Sequence, residues 1–236
     1  MSDKKERKLT KREQRRKEKF IEKCHLMEKD GYKVENLFFS ILLVNILGLL
    51  VILPINFLFL AVYYLFNDYT PNDNTYSPFI GLIYIGLLLL LIVVHELIHG
   101  TTWGYFAAEG RKSIDFGIIW QALTPYCTCS SPLTKREYIW GALMPTILLG
   151  LIPGFIAAIT GWLPLLIMSQ LMILAGAGDV LVVARLLLHR PKNAKVVYLD
   201  HPTECGLVAF VKNNYQKQYG NSIISSSSDV GRHSTR

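Results

Sequence analysis

The stretch Phe79-Ile80-Gly81-Leu82-Ile83-Tyr84-Ile85-Gly86-Leu87-Leu88-Leu89-Leu90-Leu91-Ile92-Val93-Val94-His95-Glu96-Leu97-Ile98-His99 decides the fold. Its apolar run is long enough for a membrane span, and it ends in three ionisable residues. A helix turns by about 100° per residue, so His95 and His99 lie on one face about a turn apart and both imidazoles can reach one metal ion. Glu96 falls in the same sector, where it can act as general base toward water. HExxH at this spacing is a zinc signature of hydrolytic sites. The competing reading is a chance cluster of polar residues at the frayed end of a lipid-facing helix. An ionisable group at membrane depth costs roughly 2.5–3.5 kcal/mol, so three together call for partners, water or a metal.

Working outward, 51% of the 236 residues are hydrophobic, and they cluster too strongly for an ordinary soluble domain. Four spans are expected: Leu37 to Phe66 with Pro54 inside, Phe79 to Thr101, Tyr138 to Ile159 with Pro145 and Pro153 inside, and Leu163 to His189 after the turn Gly161-Trp162-Leu163-Pro164. The fold class that follows is a mainly α polytopic membrane protein with small cytoplasmic β-hairpin elements. Residues 1–35 hold 13 of the 25 Lys and Arg, whereas 67–78 holds none and carries Asp68 and Asp73. Basic residues are retained inside, so both termini are expected in the cytoplasm, with the loop 109–137 (Arg111, Lys112, Lys135, Arg136) on the same side. This is the pattern of an integral protein of the cell membrane. The first apolar segment starts too late and runs too long for a cleavable signal peptide.

A net charge of +7 raises nucleic-acid binding, but 8 acidic residues are interleaved in the first 35 and the aromatic residues there are Phe20 and Tyr32. That leaves no stacking platform, so no nucleic-acid partner is expected. A charge-laced helical arm against anionic headgroups fits better, which makes membrane lipid a partner. Cys24, Cys127, Cys129 and Cys205 all fall on segments expected in the cytoplasm, where a disulfide framework does not form. Cys127-Thr128-Cys129 is too tight for chelation and reads as two strand neighbours on one face.

Between the second and third spans, 113–120 and 121–129 read as two short strands from their β-branched and aromatic content. Such a hairpin either covers the site or accepts an extended peptide by β-addition. Lys195 to Leu199 and Gly206 to Val211 read as two more strands, joined by 200–205. The expected organisation is a basic arm 1–35, a membrane domain 36–190, a cytoplasmic β appendage 191–219 and a serine-rich disordered tail 220–236.

Two histidines leave a catalytic zinc one protein ligand short. Asp179 is the candidate: a lone carboxylate in the apolar fourth span, as far from Leu163 as His95 is from Phe79, flanked by Gly176 and Gly178, which permit close helix approach. The rival reading caps Asp179 with a buried Ser or Thr or with Arg185. Glu109, Asp115, Asp200 and His201 are lesser candidates, read as loop or turn residues, and His189 and His25 are read as boundary residues.

The order of basic region, paired spans, His95-Glu96-x-x-His99, strand-rich loop, Pro145 span and Gly178-Asp179 resembles the family of integral-membrane proteins named putative zincin peptidase, over roughly Phe79 to Val211. More distantly it is similar to the site-2 group of intramembrane metalloproteases. That resemblance implies metal ligands at His95, His99 and Asp179 and a base at Glu96. It departs from that group in having Val180 after Asp179 and no Asn-Pro in the span. The function expected is a zinc-dependent intramembrane endopeptidase acting on a peptide or membrane-protein substrate. The alternative is a non-catalytic membrane scaffold with structural zinc, which would need a fourth ligand and has no use for Glu96. Metal transport would call for more ionisable residues along the spans than are found.

Overall fold

A computed structural model of the chain describes residues 11–38, 40–67, 78–119, 124–202 and 206–213. The loop bearing Asp68 and Asp73, Cys205, and the tail 220–236 lie outside these residues. The chain is mainly helical with two small antiparallel sheets. Its elements are α1 (Lys11–Lys29), β1 (Lys33–Phe38), α2 (Ile41–Phe66), α3 (Pro78–Phe106), β2 (Ile114–Ile119), β3 (Thr124–Cys129), α4 (Lys135–Pro145), α5 (Ile152–Thr160), α6 (Leu163–Ala175), α7 (Ala177–Leu188), β4 (Ala194–Asp200) and β5 (Gly206–Asn213). Among the described residues, three helical stretches are long and apolar enough to cross a membrane. A fourth qualifies if α6 and α7, bent 45° at their junction, count as one.

Each expected span meets a difference at its ends or its middle. The first helix starts at Ile41 because Leu37 and Phe38 belong to β1, and α3 runs on to Phe106. The third is joined through a π turn at Thr146–Leu151, directly after Pro145. Pro153, at the start of α5, lacks an N–H and its ring crowds the carbonyl four residues back, that of Leu149, which lies within the widened turn. The fourth is broken at Gly176, where a Cβ would lie 2.0 Å from the Thr146 hydroxyl oxygen. Thr146 and the α6–α7 junction thus occupy each other's space.

Small residues bring the helices together. A Cβ at Gly48 would lie 2.8 Å from the Ala177 carbonyl, and one at Gly150 would lie 2.6 Å from Ile173. Around these contacts Ile52, Ile173 and Ala177 form one core, and Tyr63, Ala157 and Leu166 another. Large apolar side chains point outward, among them Leu50, Phe57, Leu65, Ile83, Leu90 and Phe155. An apolar surface of that extent matches a lipid environment better than water.

The sheets gather at one end of the bundle. The larger has the order β1-β5-β4, with Lys33 opposite Val211 and Asp200 opposite Leu207. Its central strand, β5, is apolar without alternation because both its faces are covered. On one face Phe20, Cys24 and Met27 of α1 pack on Leu199, Val208 and Phe210. On the other, Tyr198, Leu207, Ala209 and Val211 join Trp103, Tyr138, Val183 and Leu186 from the helices. The appendage expected at 191–219 is therefore completed by β1, which crosses the boundary expected at residue 35. The charged arm docks on this sheet through α1. The smaller sheet, β2–β3, pairs Ile114 with Cys129 and Ile119 with Thr124. It lies on α3 so closely that a Cβ at Gly100 would meet the Phe116 ring at 2.4 Å.

Candidate metal centre

Two helices deliver the centre. On α3, residues 95 and 99 sit one turn apart, and both imidazoles turn Nε2 inward, 3.2 Å from each other. α7 supplies Asp179 from its first turn, where the positive end of the helix dipole favours a carboxylate. Asp179 Oδ2 lies 3.2 Å from His95 Nε2 and 3.4 Å from His99 Nε2. Both histidines are buried.

These spacings fit a metal. With ligands at about 2.0–2.1 Å in tetrahedral array, neighbouring ligand atoms stand roughly 3.3 Å apart. The observed separations are 3.2, 3.2 and 3.4 Å. Among the described residues this trio is the group of His, Cys, Asp and Glu that could hold a metal ion, its ligand atoms all within 4.8 Å of one another. The partners of Asp179 are the two histidines rather than a Ser, a Thr or Arg185.

α4 supports His99 from behind. A capping box at Thr134 and Glu137 fixes the start of α4, with Thr134 N–H donating to Glu137 at 2.7 Å. Two turns on, the Gly141 carbonyl stands 2.8 Å from His99 Nδ1. A carbonyl can only accept, so Nδ1 carries the hydrogen and Nε2 keeps its lone pair for the centre. Trp103 stacks on the His99 ring at 4.9 Å and 14°. Its Nε1–H donates to the Tyr138 carbonyl at 3.2 Å.

Glu96, half-buried, faces β3, where the Cys127 backbone N–H donates to its carboxylate. Ser130 N–H bonds to Ser113 O at 2.8 Å, so even-numbered amides of this strand point at β2 and odd-numbered ones point away. The next outward amide, Cys129 N–H, donates to Asp200 Oδ2 at 2.8 Å. Pro125 has no N–H to offer. Both outward donors of β3 are thus engaged by carboxylates. Asp200 also accepts from the Tyr138 hydroxyl, and burial pushes its carboxyl above the ordinary range. Burial pushes the Cys129 thiol up to about 12 and the Cys127 thiol higher still, so both are neutral thiols and poor ligands.

The lesser candidates lie elsewhere. Glu109 is exposed at the head of a 3-10 turn, and Asp115, expected in a loop, is half-buried within β2. Asp200 is the last residue of β4 and not a solvated turn residue. His201 sits edge-on between the rings of Phe20 and Phe38. His25 is exposed beside Glu28 at 3.7 Å. His189 is more than a boundary residue: its ring bridges Glu35 and Tyr198, each at 2.9 Å, and ties the end of α7 to the sheet. Arg16 of α1 donates to the Tyr126 hydroxyl at 2.7 Å and to the Pro202 carbonyl at 2.9 Å, fastening hairpin and β4–β5 loop together.

Sequence reasoning missed Trp103, Gly141, Tyr138 and the role of Asp200. Trp103 left a signal, since it lies four residues after His99 on the same helix face. Gly141 left none, because its contact is made across two helices.

A family model described as putative zincin peptidase matches residues 88–195, just under half of the chain. The match is narrower than the resemblance read from the residues; it takes in His95, Glu96, His99, the β2–β3 hairpin and Asp179, and leaves out α1, β1, α2 and β5. It points to a metallopeptidase and, with it, to zinc. No curated protein and no solved structure matches the chain.

Proposed function

We propose that this chain is a zinc-dependent intramembrane endopeptidase that hydrolyses peptide bonds with Glu96 as general base. The observation that carries the proposal is the convergence of His95 Nε2, His99 Nε2 and Asp179 Oδ2 at metal-ligand spacing, on helices apolar enough to cross a membrane, with Glu96 on the same turn. His95, His99 and Asp179 hold the metal. Zinc, when bound, supplies Lewis acidity toward a water and toward a scissile carbonyl. Glu96 takes a proton from the attacking water and passes it to the leaving amine, after letting go of the Cys127 amide. The site faces the sheets, which we place in the cytoplasm on the distribution of Lys and Arg, with both termini on that side.

An extended peptide or a membrane-protein segment is the substrate class that suits the outward edge of β3. Its Cys127 and Cys129 amides would pair with a substrate backbone in place of Glu96 and Asp200.

Elemental analysis of detergent-purified protein tests the proposal. About one zinc per chain is expected in wild type, kept in Glu96→Gln and lost in His95→Ala and Asp179→Ala. A peptide library cut by wild type and left intact by Glu96→Gln completes the case. A folded wild type that takes up no zinc would overturn the metal reading, and a Glu96→Gln variant that cuts at the wild-type rate would overturn the role of Glu96 as base.

A further inference from the structure

The two histidines are held unequally. Behind His95 the other ring nitrogen, Nδ1, is buried with no hydrogen-bond partner among the described residues. Behind His99 stand both the Gly141 carbonyl, at 2.8 Å from Nδ1, and the Trp103 indole, nearly parallel to the imidazole. Gly141 does two things at once. Its carbonyl fixes the tautomer, and its missing side chain leaves room for Trp103: a Cβ there would lie 2.0 Å from both indole Cδ1 and Nε1. The indole cannot slide away, because its N–H is tied to the Tyr138 carbonyl and its body is buried among Tyr138, Ala142 and Val183.

We propose that Trp103 and Gly141 are the positioning pair of the metal centre, setting the plane and tautomer of His99 so that its Nε2 is preorganised toward a bound ion. This rests on the metal reading given above and deepens it. An imidazole free to rotate about its side-chain bonds gives up rotational freedom each time it binds a metal; one clamped by a stacked ring and a carbonyl has given it up on folding. The pair touches neither substrate nor reacting atoms and acts through His99 alone. Its effect is therefore on metal affinity.

The test is Zn²⁺ affinity by chelator competition on full-length protein in detergent, for wild type, Trp103→Phe, Trp103→Leu and Gly141→Ala. Thermal melting with chelator present establishes that each variant is folded. Phenylalanine preserves a stacking face and should keep Kd close to wild type. Leucine keeps an apolar side chain but offers no stacking face, and should weaken Kd by about 10–100-fold, the usual effect of removing a group that orients a ligand. Gly141→Ala must displace the indole and should weaken Kd similarly. A second readout is independent of affinity. With Trp120→Phe, Trp140→Phe and Trp162→Phe combined, the remaining Trp103 emission should change on zinc addition with the same midpoint as binding. Folded Trp103→Leu and Gly141→Ala proteins with wild-type Kd would overturn the inference while leaving the metal centre standing. A wild type that binds no zinc would overturn both.

Discussion

The two ends of the helical bundle are built to different rules. At the end away from the sheets, polar side chains reach directly for backbone carbonyls: Tyr63 O–H donates to the Gly161 carbonyl at 2.8 Å, and the Asn67 amide donates to the carbonyls of Tyr63 and Ala158, both at 2.9 Å. Gly161 has φ of +72°, and a Cβ there would come within 2.6 Å of the Asn67 side chain. These bonds join the end of α2 to the α5–α6 turn. At the sheet end the polar groups run outward instead, from the metal-ligand trio to Gly141 and Trp103, then through Tyr138 to Asp200 and the β3 edge. Buried polar groups that only need satisfying find the nearest backbone atom. A network that spans five elements, three helices and two strands, ties the positions of those elements to one another, as the hydrolytic site proposed above would require.

The sharpest way to break the comparison is at the reacting groups. Glu96→Gln should lower turnover by about 10³-fold or more while leaving zinc content and thermal midpoint near wild type, because a base contributes to the barrier and not to the fold. Single-turnover cleavage of a substrate identified with wild type is the measurement. Asp179→Ala is the next largest effect: loss of one of three ligands should remove stoichiometric zinc, read by elemental analysis, and uncover a centre of two like imidazoles 3.2 Å apart. Any variant at the far end that shifted zinc affinity comparably would erase the distinction between the ends.

What the residues reveal in advance follows the same division. The long apolar helices were readable because apolar runs of such length have few alternatives, and the shared face of His95 and His99 because a helix converts four-residue spacing into one face. Asp179 was readable as a carboxylate with no affordable place in an apolar helix unless something met it. The interruptions were not. Gly176 in Ala175-Gly176-Ala177-Gly178 reads equally as close helix packing or as a break, and the structure has both, with Thr146 lying against it and α6 and α7 bent by 45° there. β1 was missed because Lys33-Val34-Glu35-Asn36-Leu37-Phe38 is short and polar, and becomes a strand by pairing with β5, more than 160 residues downstream. Trp103 and Gly141 complete the same lesson, since the identity of a supporting residue is set by the space left across a helix interface.

A smaller effect sharpens the comparison from the other side. Tyr63→Phe removes the hydroxyl that satisfies the Gly161 carbonyl, and should lower stability by about 0.5–1.5 kcal/mol, the net value of one such bond. Zinc affinity and turnover should stay at wild-type values. Melting curves paired with chelator competition separate the two outcomes, and a loss of affinity matching the loss of stability would mean the bundle transmits strain from end to end.

The smallest effect is a pH slope at Asp200. Burial raises its carboxyl above the ordinary range, and the Tyr138 and Cys129 donors oppose that rise without cancelling it. The folded chain therefore keeps the proton to higher pH than the unfolded chain does. Stability from this group is fully present below the unfolded value of about 4 and is lost as pH rises through the raised folded value. Asp200→Asn keeps an oxygen acceptor for the Cys129 N–H, turns its NH2 to the Tyr138 hydroxyl, which can accept, and removes the titration. With chelator present, so that zinc linkage does not enter, the thermal midpoint of wild type should fall relative to Asp200→Asn as pH is raised from about 4 through that window. A difference that stayed flat would mean the carboxyl at the junction of sheet and bundle is as easily ionised as one in water, and that the β3 edge is held by an ordinary surface contact.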